Sequence, residues 1–142
     1  MVVYFASEKR RSKMRFLKEY FIIIVILIIV FYIDHATNQM LQDAVILMRD
    51  GITSIENKIS ENKEKEAQDE FDNLEKKWKE KSGKLALFVE HNELEKVSSN
   101  VEIIESNFKT NETEKVLENI SELKFMLEHI EEKNQLKLKN IF

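Results

Sequence analysis

The sequence predicts an all-α protein: a single transmembrane helix near the N-terminus, then an antiparallel helical bundle of four helices built as two αα-hairpins. Three observations predict it. Residues 20–33 read Tyr-Phe-Ile-Ile-Ile-Val-Ile-Leu-Ile-Ile-Val-Phe-Tyr-Ile, without a polar break. The remaining chain has no proline, only two glycines (Gly51 and Gly83), and abundant Glu, Lys, Leu and Ile, a composition that favours long helices. Four later stretches carry apolar residues at alternating spacings of three and four, the period of one helix face.

The apolar run by itself would be about 21 Å long as a helix, short of the hydrocarbon core. Adding Phe16 and Leu17 gives residues 16–33, about 27 Å. Lys18 and Glu19 then lie near one end, where long side chains can snorkel to the headgroups. Tyr20 and Tyr32 stand near the two ends, where an amphipathic ring suits the interface. A cleaved signal peptide needs small residues at two positions spaced by one. Asp34-His35-Ala36-Thr37-Asn38 offers no such pair, and there is no cysteine to acylate. An uncleaved signal anchor is therefore expected.

Charge sets its direction. Lys9, Arg10, Arg11, Lys13, Arg15 and Lys18 precede the run, against Glu8 and Glu19, whereas the twenty residues after Ile33 contain only Arg49 as a basic residue. The positive-inside rule predicts a cytoplasmic N-terminus. The expected organisation is a cytoplasmic basic arm (1–15), a transmembrane signal anchor (16–33), an extracytoplasmic helical bundle (34–131) and an apolar C-terminal tail (132–142). The protein is expected in the cell membrane as a single-pass protein.

Residues 34–142 carry 16 basic and 24 acidic side chains, a formal −8. Such a domain repels phosphates, so no nucleic-acid partner is expected. The absence of cysteine excludes a disulfide scaffold, a thiolate zinc site and a thiol nucleophile.

The four periodic stretches run Leu41, Val45, Met48, Ile52, Ile55, Ile59; then Ala67, Phe71, Leu74, Trp78, with Leu85 and Val89 continuing; then Leu94, Val97, Val101, Ile104, Phe108; then Val116, Ile120, Leu123, Leu127, Ile130. Each makes a stripe that must be buried against another element. Asn92 with Glu95 reads as a capping box for the third helix. Thr110 or Asn111 could cap the fourth, and Asn62 the second. Gly83 predicts a weak point in the second helix. A shift of 49 residues superimposes the stripes: Val45, Met48, Ile52, Ile55 and Ile59 fall on Leu94, Val97, Val101, Ile104 and Phe108. Ala67, Phe71, Leu74 and Trp78 likewise fall on Val116, Ile120, Leu123 and Leu127. The turn residue Asn62 falls on Asn111, so the two hairpins are read as internally related. Residues 34–39 contain nothing that forces a break between the membrane span and the first bundle helix.

Catalytic signatures are missing. There is no nucleophile elbow, no glycine-rich phosphate loop and no dinucleotide fingerprint. His35, His91 and His129 are far apart in sequence and form no zinc-binding pair at helical spacing. His91 and His129, each expected near a helix end, are read as structural or surface residues, with a shared metal or pH-sensing site as the alternative. Trp78 is read as a core residue. No cofactor or metal is expected, and the chain is not expected to be an enzyme. The apolar tail, with Leu136, Leu138, Ile141 and Phe142, either packs back on the bundle or docks on a partner.

The Trp-bearing helix is followed by Lys84-Leu-Ala-Leu-Phe-Val-Glu-His-Asn-Glu-Leu-Glu95 and later by Ser121-Glu-Leu-Lys-Phe-Met-Leu-Glu-His-Ile130, and the last residues are Asn140-Ile141-Phe142. With the basic start and the short span, this resembles the clostridial family catalogued as domain of unknown function 4363, over most of the chain including the anchor. The resemblance implies a small single-pass protein of Gram-positive anaerobes and carries no activity with it. Trp78, His91 and His129 match the pattern, without an assigned role. The reading from the residues is a non-enzymatic structural or adaptor protein of the cell envelope, with the lipid bilayer and an envelope protein or a second copy as partners. The alternatives are an extracytoplasmic sensor or ligand-binding module working through a partner, and a bitopic division or sporulation scaffold dimerising along the stripe of residues 41–59.

Overall fold

The structure is a computed structural model that describes the backbone of residues 2–139 and the side chains of residues 16–135. Among the described residues there are four helices and no strand: α1 (Val2–Ser60), α2 (Glu64–Leu85), α3 (His91–Lys109) and α4 (Thr113–Lys139). Two compact units are present, Met1–Ala36 and Thr37–Phe142.

In the first unit, α1 is long and apolar enough to cross a membrane. The side chains of residues 16–35 are all exposed, including Phe16 at 57 %, Leu27 at 61 % and Tyr32 at 71 %. Residues 34–39 are helical, so the secondary structure does not break after the apolar run.

In the second unit the four stripes face one another. Leu41, Val45, Met48, Ile52, Ile55 and Ile59 are all buried, and so are all the predicted stripe residues of α3 and α4. The helices close into a ring. Gly51 of α1 lies against Leu74 of α2, and Lys58 pairs with Glu70 at 2.7 Å. Trp78 of α2 reaches Ser98 of α3, and Asn100 of α3 reaches Glu122 of α4. Helix α4 returns to α1 through Glu131–Arg49 at 2.8 Å, Lys124–Glu56 and Asn134–Asn38. Its helical backbone continues through residues 132–139.

The 49-residue relation is present in the turns as well as in the core. Asn62 and Asn111 both have positive φ, 57° and 55°. At the first turn the Lys63 N–H donates to Lys58 O and the Asn62 N–H to Ile59 O; at the second, the Glu112 N–H donates to Asn107 O and the Asn111 N–H to Phe108 O. These are two Schellman motifs, and asparagine is there because it tolerates the left-handed region better than other side-chain-bearing residues. The two asparagines therefore end α1 and α3; they do not cap α2 and α4. Thr110 likewise belongs to the end of α3, its hydroxyl donating back to Ser106 O and Asn107 O. The tips touch where Thr113 Oγ1 donates to Glu64 Oε1 at 3.1 Å. Those two positions are themselves related by the 49-residue shift.

Two expectations about the other connection are corrected. Helix α3 begins at His91, with Glu90 as N-cap and no side-chain cap, so Asn92 is not a capping residue. The earlier start lets Glu90 and Glu93 both bind Lys133 of α4, which ties the new helix end to the bundle. Helix α2 ends at Leu85, so Val89 packs against the core from the connection and not from a helical stripe. Gly83 lies within the last turn of α2, and no break occurs there.

The Lys58 ammonium holds the Glu70 carboxyl below its ordinary value of 4.5, and Glu70 in turn raises Lys58 above 10.5. A depressed carboxyl contributes stability that is present above its ordinary value and lost as pH falls through the lower folded value. A raised ammonium contributes stability present below 10.5 and lost as pH rises through the folded value. Glu70→Gln is thus expected to flatten part of the acid limb below about pH 4.5 by lowering the neutral plateau while leaving the stability in acid nearly unchanged, and the effect is small because the pair is partly solvated. Thermal unfolding of the full chain in mild detergent, followed by helicity across a pH series, reads this directly.

Candidate interaction surface

Most of the bundle's apolar side chains are used in its own core, so a functional surface must be sought among those left outside. Ile103 of α3 is 47 % exposed and Phe125 of α4 is 69 % exposed. Met126, next to Phe125, is partly buried against the core. Ile103 and Met126 line an open groove of about 480 Å³ between α3 and α4, together with Asn92, Glu95, Lys96, Ser99, Asn100 and Glu122. Asn100 is 3 % exposed; its Nδ2 donates to Glu122 Oε2 at 3.3 Å, while its Oδ1 has no hydrogen-bond partner. A buried amide oxygen without a donor costs about 1–3 kcal/mol. The 49-residue shift places Asn100 on Gly51, where the first hairpin brings α1 close against Leu74 of α2. The second hairpin carries a polar group there and opens a groove beside it.

On the outer side of α4, His129 stacks on Phe125 one turn away, with ring centroids 6.5 Å apart and planes at 15°. His91 opens α3 and is largely solvated, its Nε2 3.9 Å from Glu95 Oε2. Neither histidine ends a helix: one starts α3 and the other lies inside α4. Each has a partner on its own helix, and among the described residues no group of three His, Asp or Glu could hold a metal ion. Trp78 is buried at 2 % exposure and its indole N–H donates to Ser98 Oγ at 3.0 Å. Ile141 and Phe142 lie outside the described residues.

Of the three singled-out residues that the structure describes, Trp78, His91 and His129, the last lies beside the exposed aromatic face. Ile103, Phe125 and Met126 are not among the stripe residues, because each lies off its helix's stripe. Their signal was available: an apolar residue on the wrong side of an amphipathic helix is the pattern left by an outward-facing contact.

The fold defines the class: an all-α protein with one apolar helix and a four-helix bundle that is internally doubled. The chain belongs to the family described as domain of unknown function 4363, whose sequence model matches residues 35–141. The match begins after the apolar run, so the likeness read from the sequence over the anchor is not part of it. No curated protein and no solved structure matches the chain.

Proposed function

We propose that this is a single-pass membrane protein, N-terminus in the cytoplasm, whose helical domain acts outside as a non-enzymatic structural or adaptor protein of the cell envelope. The observation that carries this reading is the uncovered apolar helix. Every side chain of residues 16–33 is exposed. Fully burying one Leu, Ile or Phe stabilises by about 1.5–3 kcal/mol, so a run of this length left in water would be strongly disfavoured. A bilayer covers it, and the basic residues before it support the orientation.

The domain's partner is another envelope protein or a second copy, engaged through the exposed face of α3 and α4 that carries Ile103, Phe125 and Met126. Packing of stripe on stripe with a partner is not available, because the stripes fill the core. For the same reason the stripe of residues 41–59 cannot serve as the dimer seam of a division or sporulation scaffold. A sensor holding a small molecule would have to use the open groove at Asn100, because the buried side chains of the core are mostly apolar.

The chain's lack of cysteine makes the test direct. In whole cells, a cysteine at Asn111→Cys is expected to react with a membrane-impermeant maleimide, and one at Ala6→Cys only after lysis. The reverse pattern would overturn the orientation, and equal labelling at both would overturn the anchor. A photocrosslinking residue in place of Phe125 is then expected to capture a protein or a second copy, and one in place of Gln68 is not. If Phe125 gives no adduct, the adaptor reading fails.

A further inference from the structure

The bundle's two ends differ in polarity. The end with the hairpin tips shows the connections Glu61-Asn62-Lys63 and Thr110-Asn111-Glu112, all polar. The opposite end shows residues 86–90, Ala-Leu-Phe-Val-Glu, joining α2 to α3. Leu87 is 80 % exposed and Phe88 51 %. This is not a loose segment. The Phe88 and Val89 N–H groups both donate to Leu85 O, at 2.9 and 2.8 Å. Leu85 is buried and Val89 packs against the core, so the turn is pinned on both sides while Leu87 and Phe88 point out.

This is also the end at which the chain enters the bundle. Val89 and Glu90 line one small cleft with Leu41, Ile130 and Lys133, and Asn38 bonds Asn134. Leu41 is eight residues after Ile33, at most about 28 Å of fully extended chain. Of the three connections, the apolar one is at the end nearest in sequence to the apolar run, and the two polar ones are at the far end.

We propose that Leu87 and Phe88 are a membrane-contacting tip, inserting at the boundary between headgroups and acyl chains of the outer leaflet. The inference rests on the membrane-anchored reading. It names the lipid surface as the occupant because connectivity keeps this end near the bilayer. The domain's net negative charge gives no attraction to anionic lipid, so the contact is confined to the uncharged tip. A Phe beside a Leu is suited to that depth.

The test uses the full chain reconstituted in vesicles of phosphatidylglycerol and phosphatidylethanolamine, with and without brominated acyl chains. Single cysteines at Ile26→Cys, Leu87→Cys, Phe88→Cys and Asn111→Cys carry a small environment-sensitive fluorophore. Leu87 is mostly solvated, so its substitution leaves the core intact, and unchanged helicity verifies this. The expected result is loss of intensity in brominated vesicles at 26 and at 87 or 88, with intensity retained at 111, unaltered by high salt. Quenching at 26 but at neither 87 nor 88 overturns this inference and leaves the anchor standing. Absence of quenching at 26 overturns both. Disulfide-linked dimers of unlabelled Leu87→Cys, together with unquenched label at 87, would assign the tip to a second copy and overturn the lipid contact.

Discussion

Trp78→Ala is expected to destabilise the bundle by about 3–5 kcal/mol, the range for removing a large aromatic side chain from a packed interior. The side chain is 2 % exposed and is among the largest fully buried groups of the core. It bridges α2 to α3 with a hydrogen bond to Ser98. Ser98 is half-buried, so water can replace the indole there, and the lost bond adds only about 1 kcal/mol. The volume term dominates, and Trp78→Phe should therefore cost much less than Trp78→Ala. A domain of this size is stable by about 5–15 kcal/mol, so the alanine variant removes a large share. The counterpart of Trp78 under the 49-residue shift is Leu127, also buried, at 1 %. Leu127→Ala should cost about 2–5 kcal/mol. Denaturant titration of the full chain in mild detergent, followed by far-ultraviolet circular dichroism, measures both. Tryptophan fluorescence is unsuitable, because Trp78 is the chain's single tryptophan. A loss below about 1 kcal/mol for Trp78→Ala would mean that α2 and α3 are not packed on this side chain.

What was legible in the sequence is what periodicity records. Each stripe is a property of one helix, and a helix with a stripe has one face to bury, so the core of α1, α3 and α4 could be listed without knowing the partners. The doubled pattern was legible because it recurs at every level: nine stripe pairs and one asparagine pair share one shift. What those asparagines do was misread, because Asn is favoured both at a helix N-cap and in the left-handed position after a helix end. Backbone geometry separates the two roles and composition does not. The start of α3 was misplaced for a related reason. Residues 85–89 are apolar without interruption, with neither proline nor glycine to stop a helix, so the end of α2 is decided by tertiary contacts of Leu85 and Val89. The exposed face was least legible. Whether Ile103 or Phe125 is covered depends on which helices lie beside α3 and α4, and that is knowledge of the assembled ring.

The two glycines give the sharpest contrast, and the expected signs are opposite. At Gly83 an added Cβ meets nothing within 4 Å. Gly83→Ala should therefore realise the helix-propensity gain, up to about 1 kcal/mol and less this close to the end of α2. At Gly51 an added Cβ would sit 2.6 and 2.8 Å from the two Cδ atoms of Leu74. Leu74 is 4 % exposed and has little room to turn away. Overpacking of this kind costs about 1–3 kcal/mol, more than the propensity gain of about 1 kcal/mol. Gly51→Ala is expected to destabilise by about 1 kcal/mol, and Gly51→Val by more, because its branched Cβ carries two further carbons into the same contact. The decisive arm is the double variant. Leu74→Ala alone should cost about 2–5 kcal/mol by leaving a cavity. In the Gly51→Ala background the new methyl occupies part of that cavity, so the second substitution should cost less, with a coupling of at least about 0.5 kcal/mol. Strict additivity would mean that α1 and α2 do not approach at Gly51. Stabilisation by both glycine substitutions would mean that the close crossing of the first hairpin does not exist, and with it the reason that glycine and asparagine occupy equivalent positions in the two hairpins.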